Sequence, residues 1–117
     1  LVTTFTLEEL LATKMRALFQ RRKGRDLYDL WLGLTTLHPD EAHIIECLGE
    51  YLARAGTAIS RAEFEANMVG KLASSDFRAD VVPLLRDPGG YDVDDAAALV
   101  HDRLITRLAG EPWKGLI

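Results

Sequence analysis

From Leu7 onward the apolar positions recur at helical spacing. Leu7, Leu10, Leu11, Met15 and Leu18 fall on one side of a helix that advances about 100° per residue. Thr6 followed by Glu9 is a capping box, in which hydroxyl and carboxylate satisfy free amides at a helix start, so the spacing predicts a helix from residue 7 to a stop at Gly24. Asp26 is placed to cap a second helix with Leu27, Leu30, Trp31 and Leu34 on one face. Thr35 to Pro39 reads as a turn, and Asp40 and Glu41 favour the start of a third helix bearing Ile44, Ile45, Leu48 and Leu52, which Gly56 ends. Ser60 with Glu63 repeats the capping box before Phe64, Met68 and Leu72. Ser75 and Asp76 begin a shorter element with Phe77, Val81 and Leu84, which Pro83 must kink or stop. Asp87-Pro88-Gly89-Gly90 is a loop, and the acids Asp92 to Asp95 open a last helix with Ala97, Val100, Leu104 and Leu108, closed by Gly110. Leu1 to Phe5 reads as the end of a strand. The expectation is an all-α helical bundle of about six helices, with at most a short N-terminal strand, forming a single domain over residues 1–117.

Composition narrows this picture without changing it. The 48% hydrophobic and 27% charged fractions of the 117 residues exclude a disordered tail or a collagen-like repeat. No apolar run approaches the roughly 18 residues of a membrane span. A single cysteine, Cys47, cannot form an internal disulfide, and the chain reads as cytoplasmic with a reduced thiol. The net charge of −4 argues against bulk electrostatic coating of nucleic acid, yet the charge is unevenly spread. Residues 1–35 hold six basic and four acidic side chains, and all six basic ones fall between Lys14 and Arg25. The chain also opens without an initiator methionine, so we read it as a fragment whose N-terminal part is missing.

Lys14 falls inside the arc of the leucines on the first helix, and Arg21, seven residues on, lies almost directly along the axis from it. One account is snorkelling, with aliphatic stems packed and charged heads in water. The sharper account is an anion site, where a lysine supplies a point charge and an arginine a planar fork for phosphate oxygens. Asp26 and Asp29 follow, three residues apart and hence neighbours on the second helix. Across the glycine turn, Lys14 and Arg21 could meet either acid as a structural ion pair or as half of a polar active site.

Glu9, Leu10, Leu11, Ala12, Lys14, Ala17, Leu18 and Arg21, then Arg25-Asp26-x-x-Asp29-Leu30, resemble the last two motifs of the AbiEii/AbiGii-type nucleotidyltransferase toxins of abortive-infection toxin–antitoxin pairs. Phe64 to Leu85 looks like that family's C-terminal helices, more weakly. The resemblance implies the C-terminal helical part of a larger nucleotidyltransferase. The complete enzyme would bind a nucleoside triphosphate (NTP) with Mg2+ and transfer a nucleotidyl group to an acceptor such as tRNA. It implies Lys14, Asp26 and Asp29 as catalytic residues and Arg21 and Arg25 as substrate-binding ones. Lys14 would neutralise phosphate, and Asp26 would be the polar or basic partner. The implied partners are the missing N-terminal nucleotidyltransferase core, the NTP, a tRNA and a cognate antitoxin.

The family's phosphate loop of Gly-Ser type does not precede these motifs, and the one Asp-x-Asp, Asp92-Val93-Asp94, stands at a predicted helix start, where we read it as capping acids rather than a metal pair. Nucleotidyl transfer needs carboxylates that hold magnesium against the triphosphate. The expectation is therefore no metal site, no cofactor and no catalysis in this chain alone. The alternative is a non-catalytic helical module that binds protein or nucleic acid through residues 14–25. His38 and His43 lie near acids without metal-ligand spacing, His101 reads as a hydrogen-bonded packing residue, and Trp31 and Trp113 read as core or interface.

Overall fold

The computed structural model describes residues 6–85 and 90–116. Its six α-helices are α1 (Leu7–Gln20), α2 (Gly24–Thr36), α3 (Glu41–Arg54), α4 (Arg61–Leu72), α5 (Ser75–Ala79) and α6 (Val93–Arg103). Single 3₁₀ turns lie at Val82–Leu84, Ile105–Arg107 and Lys114–Leu116, and there is no strand among the described residues. The fold is all-α, as the spacing of apolar positions predicts. The expected strand at residues 1–5 and most of the expected loop at 87–90 lie outside the described residues.

Both capping boxes form: the Thr6 and Ser60 hydroxyls accept from the Glu9 and Glu63 amides, whose carboxylates accept in return from the Thr6 and Ser60 amides. Asp40 and Asp92 cap α3 and α6 in the same sense. The apolar stripes of α1, α2 and α3 close on one another, with Met15, Leu18, Leu27, Leu30, Leu34 and Ile44 all fully buried. Each is worth about 2–5 kcal/mol against truncation to alanine. α1 packs on α2 and α3, and α6 lies against α2 on its other side. No described helix is long and apolar enough to cross a membrane.

Four local expectations fail. α1 ends at Gln20 rather than Gly24, and Arg21 is extended (φ −134°, ψ 165°). The cause lies in α4. Lys71 donates to the carbonyls of Leu18 and Phe19, the latter at 2.8 Å, and Asn67 donates to Phe19 at 3.1 Å. These side chains satisfy carbonyls that a further turn of helix would have used. Gly24 is instead the first residue of α2, and Asp26 does not cap that helix. Lys23 takes the cap position, without a side-chain hydrogen bond, and Asp26 sits within the first turn. Leu10, placed on the buried stripe by its spacing, is 47% exposed. Finally, α6 stops at Arg103 rather than reaching Gly110, whose positive φ of 104° turns the chain so that the Ala109 carbonyl accepts from the Arg61 amide at 2.9 Å.

Besides Asp26, two further charged residues are buried, both on α4. Glu65 is bonded by Arg61, His101 and the Trp113 amide, which ties the C-terminal segment to α4. His101 is thus the hydrogen-bonded packing residue expected of it. Lys71 is 4% exposed, and burial, reinforced by the charge of Arg22, lowers its pKa from 10.5 to about 8. The folded chain therefore releases this proton before the unfolded chain does. The group's contribution to stability is fully present only above about 10.5 and is lost as pH falls through about 8. Melting temperatures of the wild type and Lys71→Met between pH 7.5 and 10 should diverge accordingly, the wild type gaining on the variant as pH rises. Parallel curves would show that Lys71 does not titrate in this window.

Candidate functional site

The Arg21-Arg22-Lys23 turn is short, so α2 returns along α1 and brings the two motifs face to face. Three contacts fix the register. Arg21 meets Asp26, Lys14 meets Asp29, and Gly33 lets the helices approach so closely that a Cβ there would stand 2.8 Å from a Leu11 methyl.

The two ion pairs differ in kind. Arg21 grips Asp26 with both arms of its fork, Nε to Oδ2 at 2.8 Å and Nη2 to Oδ1 at 2.9 Å. Asp26 has no exposed surface, while the Arg21 side chain keeps 53% of its own. The hydrogen bonds that Arg21 donates to Asp26 hold its guanidinium even more firmly protonated than usual. This pair is closed, because both carboxylate oxygens are engaged. Lys14 Nζ stands 2.9 Å from Asp29 Oδ2, and the two side chains are 38% and 40% exposed. That pair is open. A solvated lysine–carboxylate contact is worth about 0–1 kcal/mol, so an incoming anion can compete for the ammonium at little cost.

Arg25 goes elsewhere. Its Nε lies 3.3 Å and its backbone amide 3.2 Å from Asp80 Oδ2, at the C-terminal end of α5. The hydrogen bond from Arg25 holds the Asp80 carboxyl below the usual carboxylate range. The structure thus joins Lys14 with Asp29 and Arg21 with Asp26, and sets Arg25 apart on a third acid that the sequence reading did not single out.

Beside Asp29 on α2, Tyr28 and Trp31 form an aromatic cluster with Tyr91, whose ring stands edge-on to both at centroid distances of 5.0 and 5.1 Å. Trp31 is therefore a packing residue, half-buried between α2 and the start of α6. Asp92 caps α6 and Asp94 pairs with Arg78 at 2.7 Å, consistent with their reading as helix-start acids. His43 lies 3.8 Å from the Cys47 sulfur and 3.4 Å from Glu46, and His38 is a turn residue with φ 47°. Among the described residues no three His, Cys, Asp or Glu side chains are grouped so as to hold a metal ion.

Compared with known proteins, residues 1–99 match the model of a family described as nucleotidyl transferase AbiEii toxin, type IV TA (toxin–antitoxin) system. No curated protein and no solved structure matches the chain at a significant level.

Proposed function

The chain belongs to the AbiEii nucleotidyl transferase toxin family of type IV toxin–antitoxin systems, and from that premise we propose that its α1–α2 hairpin supplies the phosphate-binding corner of a nucleotidyltransferase. Acting within a complete enzyme that carries the phosphate loop and metal pair, it would serve transfer of a nucleotidyl group from an NTP to an acceptor such as tRNA. A cognate antitoxin is the partner that such a system implies. The observation that carries the reading is the open Lys14–Asp29 pair beside the closed Arg21–Asp26 pair.

Lys14 offers a solvated ammonium to the phosphoryl oxygens, and Asp29 is the acid on the same surface that can respond when Lys14 turns to substrate. Asp26, with both oxygens on Arg21, locks the hairpin so that Lys14 and Asp29 keep their register. Arg25 performs the matching task toward α5 through Asp80. Magnesium is the ion the family chemistry implies, but the donors here do not fit it. Asp26 is buried and doubly engaged, Asp29 faces a cation, and among the described residues no third donor converges on them. The metal would be held by the other half of such an enzyme.

In the complete enzyme, Lys14→Ala should abolish transfer of label from an NTP to tRNA while moving the melting temperature by no more than a few degrees, since only a solvated ion pair is lost. Wild-type transfer by that variant would remove Lys14 from the site and overturn the reading.

A further inference from the structure

His43 and Cys47 stand four residues apart on α3, hence one above the other on the same face. Nε2 of His43 lies 3.8 Å from the Cys47 sulfur, and Nδ1 lies 3.4 Å from the Glu46 carboxylate. A proton on Nδ1 serves Glu46 and leaves the Nε2 lone pair facing the thiol. Metal-binding histidines are held in this way, the outer nitrogen donating to a carboxylate while the inner one binds the ion. The separation fits as well. A tetrahedral zinc ion, with bonds of about 2.3 Å to sulfur and about 2.0 Å to nitrogen, sets its two donors roughly 3.6 Å apart. Both side chains line a cavity of about 250 Å³ between α3 and α1, shared with Glu9, Glu50, Tyr51 and Arg54. Cys47 is buried, but the His43 side chain is 46% exposed and gives an ion its way in. Burial, then the carboxylates of Glu9, Glu50, Glu46 and Glu8, raise the Cys47 pKa. Acids that oppose a thiolate favour a cation beside it, and Arg54 offsets them only in part. The Tyr51 hydroxyl, on the same cavity wall, is buried without a hydrogen-bond partner among the described residues.

We propose that His43 and Cys47 form a binding site for a thiophilic divalent cation of the zinc class, separate from the Lys14–Asp29 pair. Nε2 gives its lone pair to the ion and the thiol gives its proton to water. One metal–nitrogen and one metal–sulfur bond form, and no oxidation state changes. Among the described residues no third His, Cys, Asp or Glu joins the two donors, so water completes the coordination shell. Water held in the cavity also supplies the acceptor that the Tyr51 hydroxyl lacks. Imidazole and thiolate select zinc over magnesium, which prefers oxygen donors, so this site is no substitute for the magnesium of nucleotidyl transfer. Glu9 and Lys14, five residues apart on α1, lie about 140° apart around its axis. An ion in the cavity therefore leaves Lys14 and Asp29 untouched.

The test titrates the reduced, chelator-treated chain with cobalt(II), a spectroscopic stand-in for zinc. One equivalent should produce a thiolate-to-cobalt charge-transfer band, and zinc(II) added afterwards should bleach it. Cys47→Ala should lack the band altogether. His43→Ala, which alters an exposed side chain and spares the core, should bind cobalt at least tenfold more weakly, and Glu46→Gln about tenfold more weakly through loss of the carboxylate behind the imidazole. His38→Ala should bind as the wild type does. Zinc should raise the melting temperature of the wild type and leave that of His43→Ala in place, because only the folded chain holds both donors together. If Cys47→Ala does not fold, His43→Ala decides alone. The absence of a charge-transfer band in the wild type, or a band of undiminished affinity in His43→Ala, overturns the site, the second outcome reducing it to a thiol that takes up metal unaided.

Discussion

Arg21→Ala should lower the melting temperature by on the order of ten degrees, and Asp26→Ala by clearly less, although the two side chains form one bridge. The asymmetry follows from where each charge is left. Without Asp26, the arginine head is already half in water and its surroundings lose a bidentate hydrogen bond. Without Arg21, the Asp26 carboxylate is stranded with no exposed surface, and the fold must either desolvate it unpaired or open the hairpin to reach water. Thermal melts of the two variants and of the double variant decide the matter. The double variant should be more stable than Arg21→Ala, because deleting the stranded acid removes the cause of the damage. Equal losses from the two single variants would mean that Asp26 has another partner in the folded chain.

Gly24→Ala should cost about 3 kcal/mol, the upper range for overpacking, although it adds one methyl group to a helix start. A Cβ built on Gly24 stands 2.1 Å from the Phe77 carbonyl oxygen. That neighbour is backbone and cannot turn aside as a side chain would. Either α5 moves away from α2 or the hairpin turn shifts, and both disturb Arg25 and its grip on Asp80. Denaturant unfolding should show the loss, with a smaller one for Gly33→Ala, where the obstructing atom is a Leu11 methyl at 2.8 Å that can rotate. A Gly24→Ala protein of wild-type stability would show that α5 is free to retreat.

The helices were legible because amphipathic spacing and capping pairs are local. Thr6 with Glu9 and Ser60 with Glu63 act over three residues, and a reader of sequence sees both partners at once. The motif pairing was half legible. Seven-residue spacing on α1 and three-residue spacing on α2 put Lys14 and Arg21 opposite the two acids once the turn is short, but spacing alone could not tell the closed pair from the open one. That difference lies in burial, which α4 and α5 complete from far along the chain. Lys71, Asp80 and Tyr91 went unnoticed for the same reason, since each takes its meaning from a distant partner. Lys71 did leave a trace: it falls seven residues after Phe64, on the stripe that carries Met68 and Leu72. A lone lysine on an apolar line is a prompt to look for exposed carbonyls that it could close.

That closing contact also orders events during synthesis. The donor that ends α1 is 52 and 53 positions away from the carbonyls it binds, so the motif-bearing helix receives its proper end only after most of the chain has been made. A ribosome that has released residues 7–36 has exposed every motif residue and none of the machinery that sets their alignment. Such long-range closure slows folding relative to the local helices around it, because the intervening segment must first be brought back on itself. A nascent or prematurely ended chain therefore carries the charged signature before α4 has docked to close the end of α1.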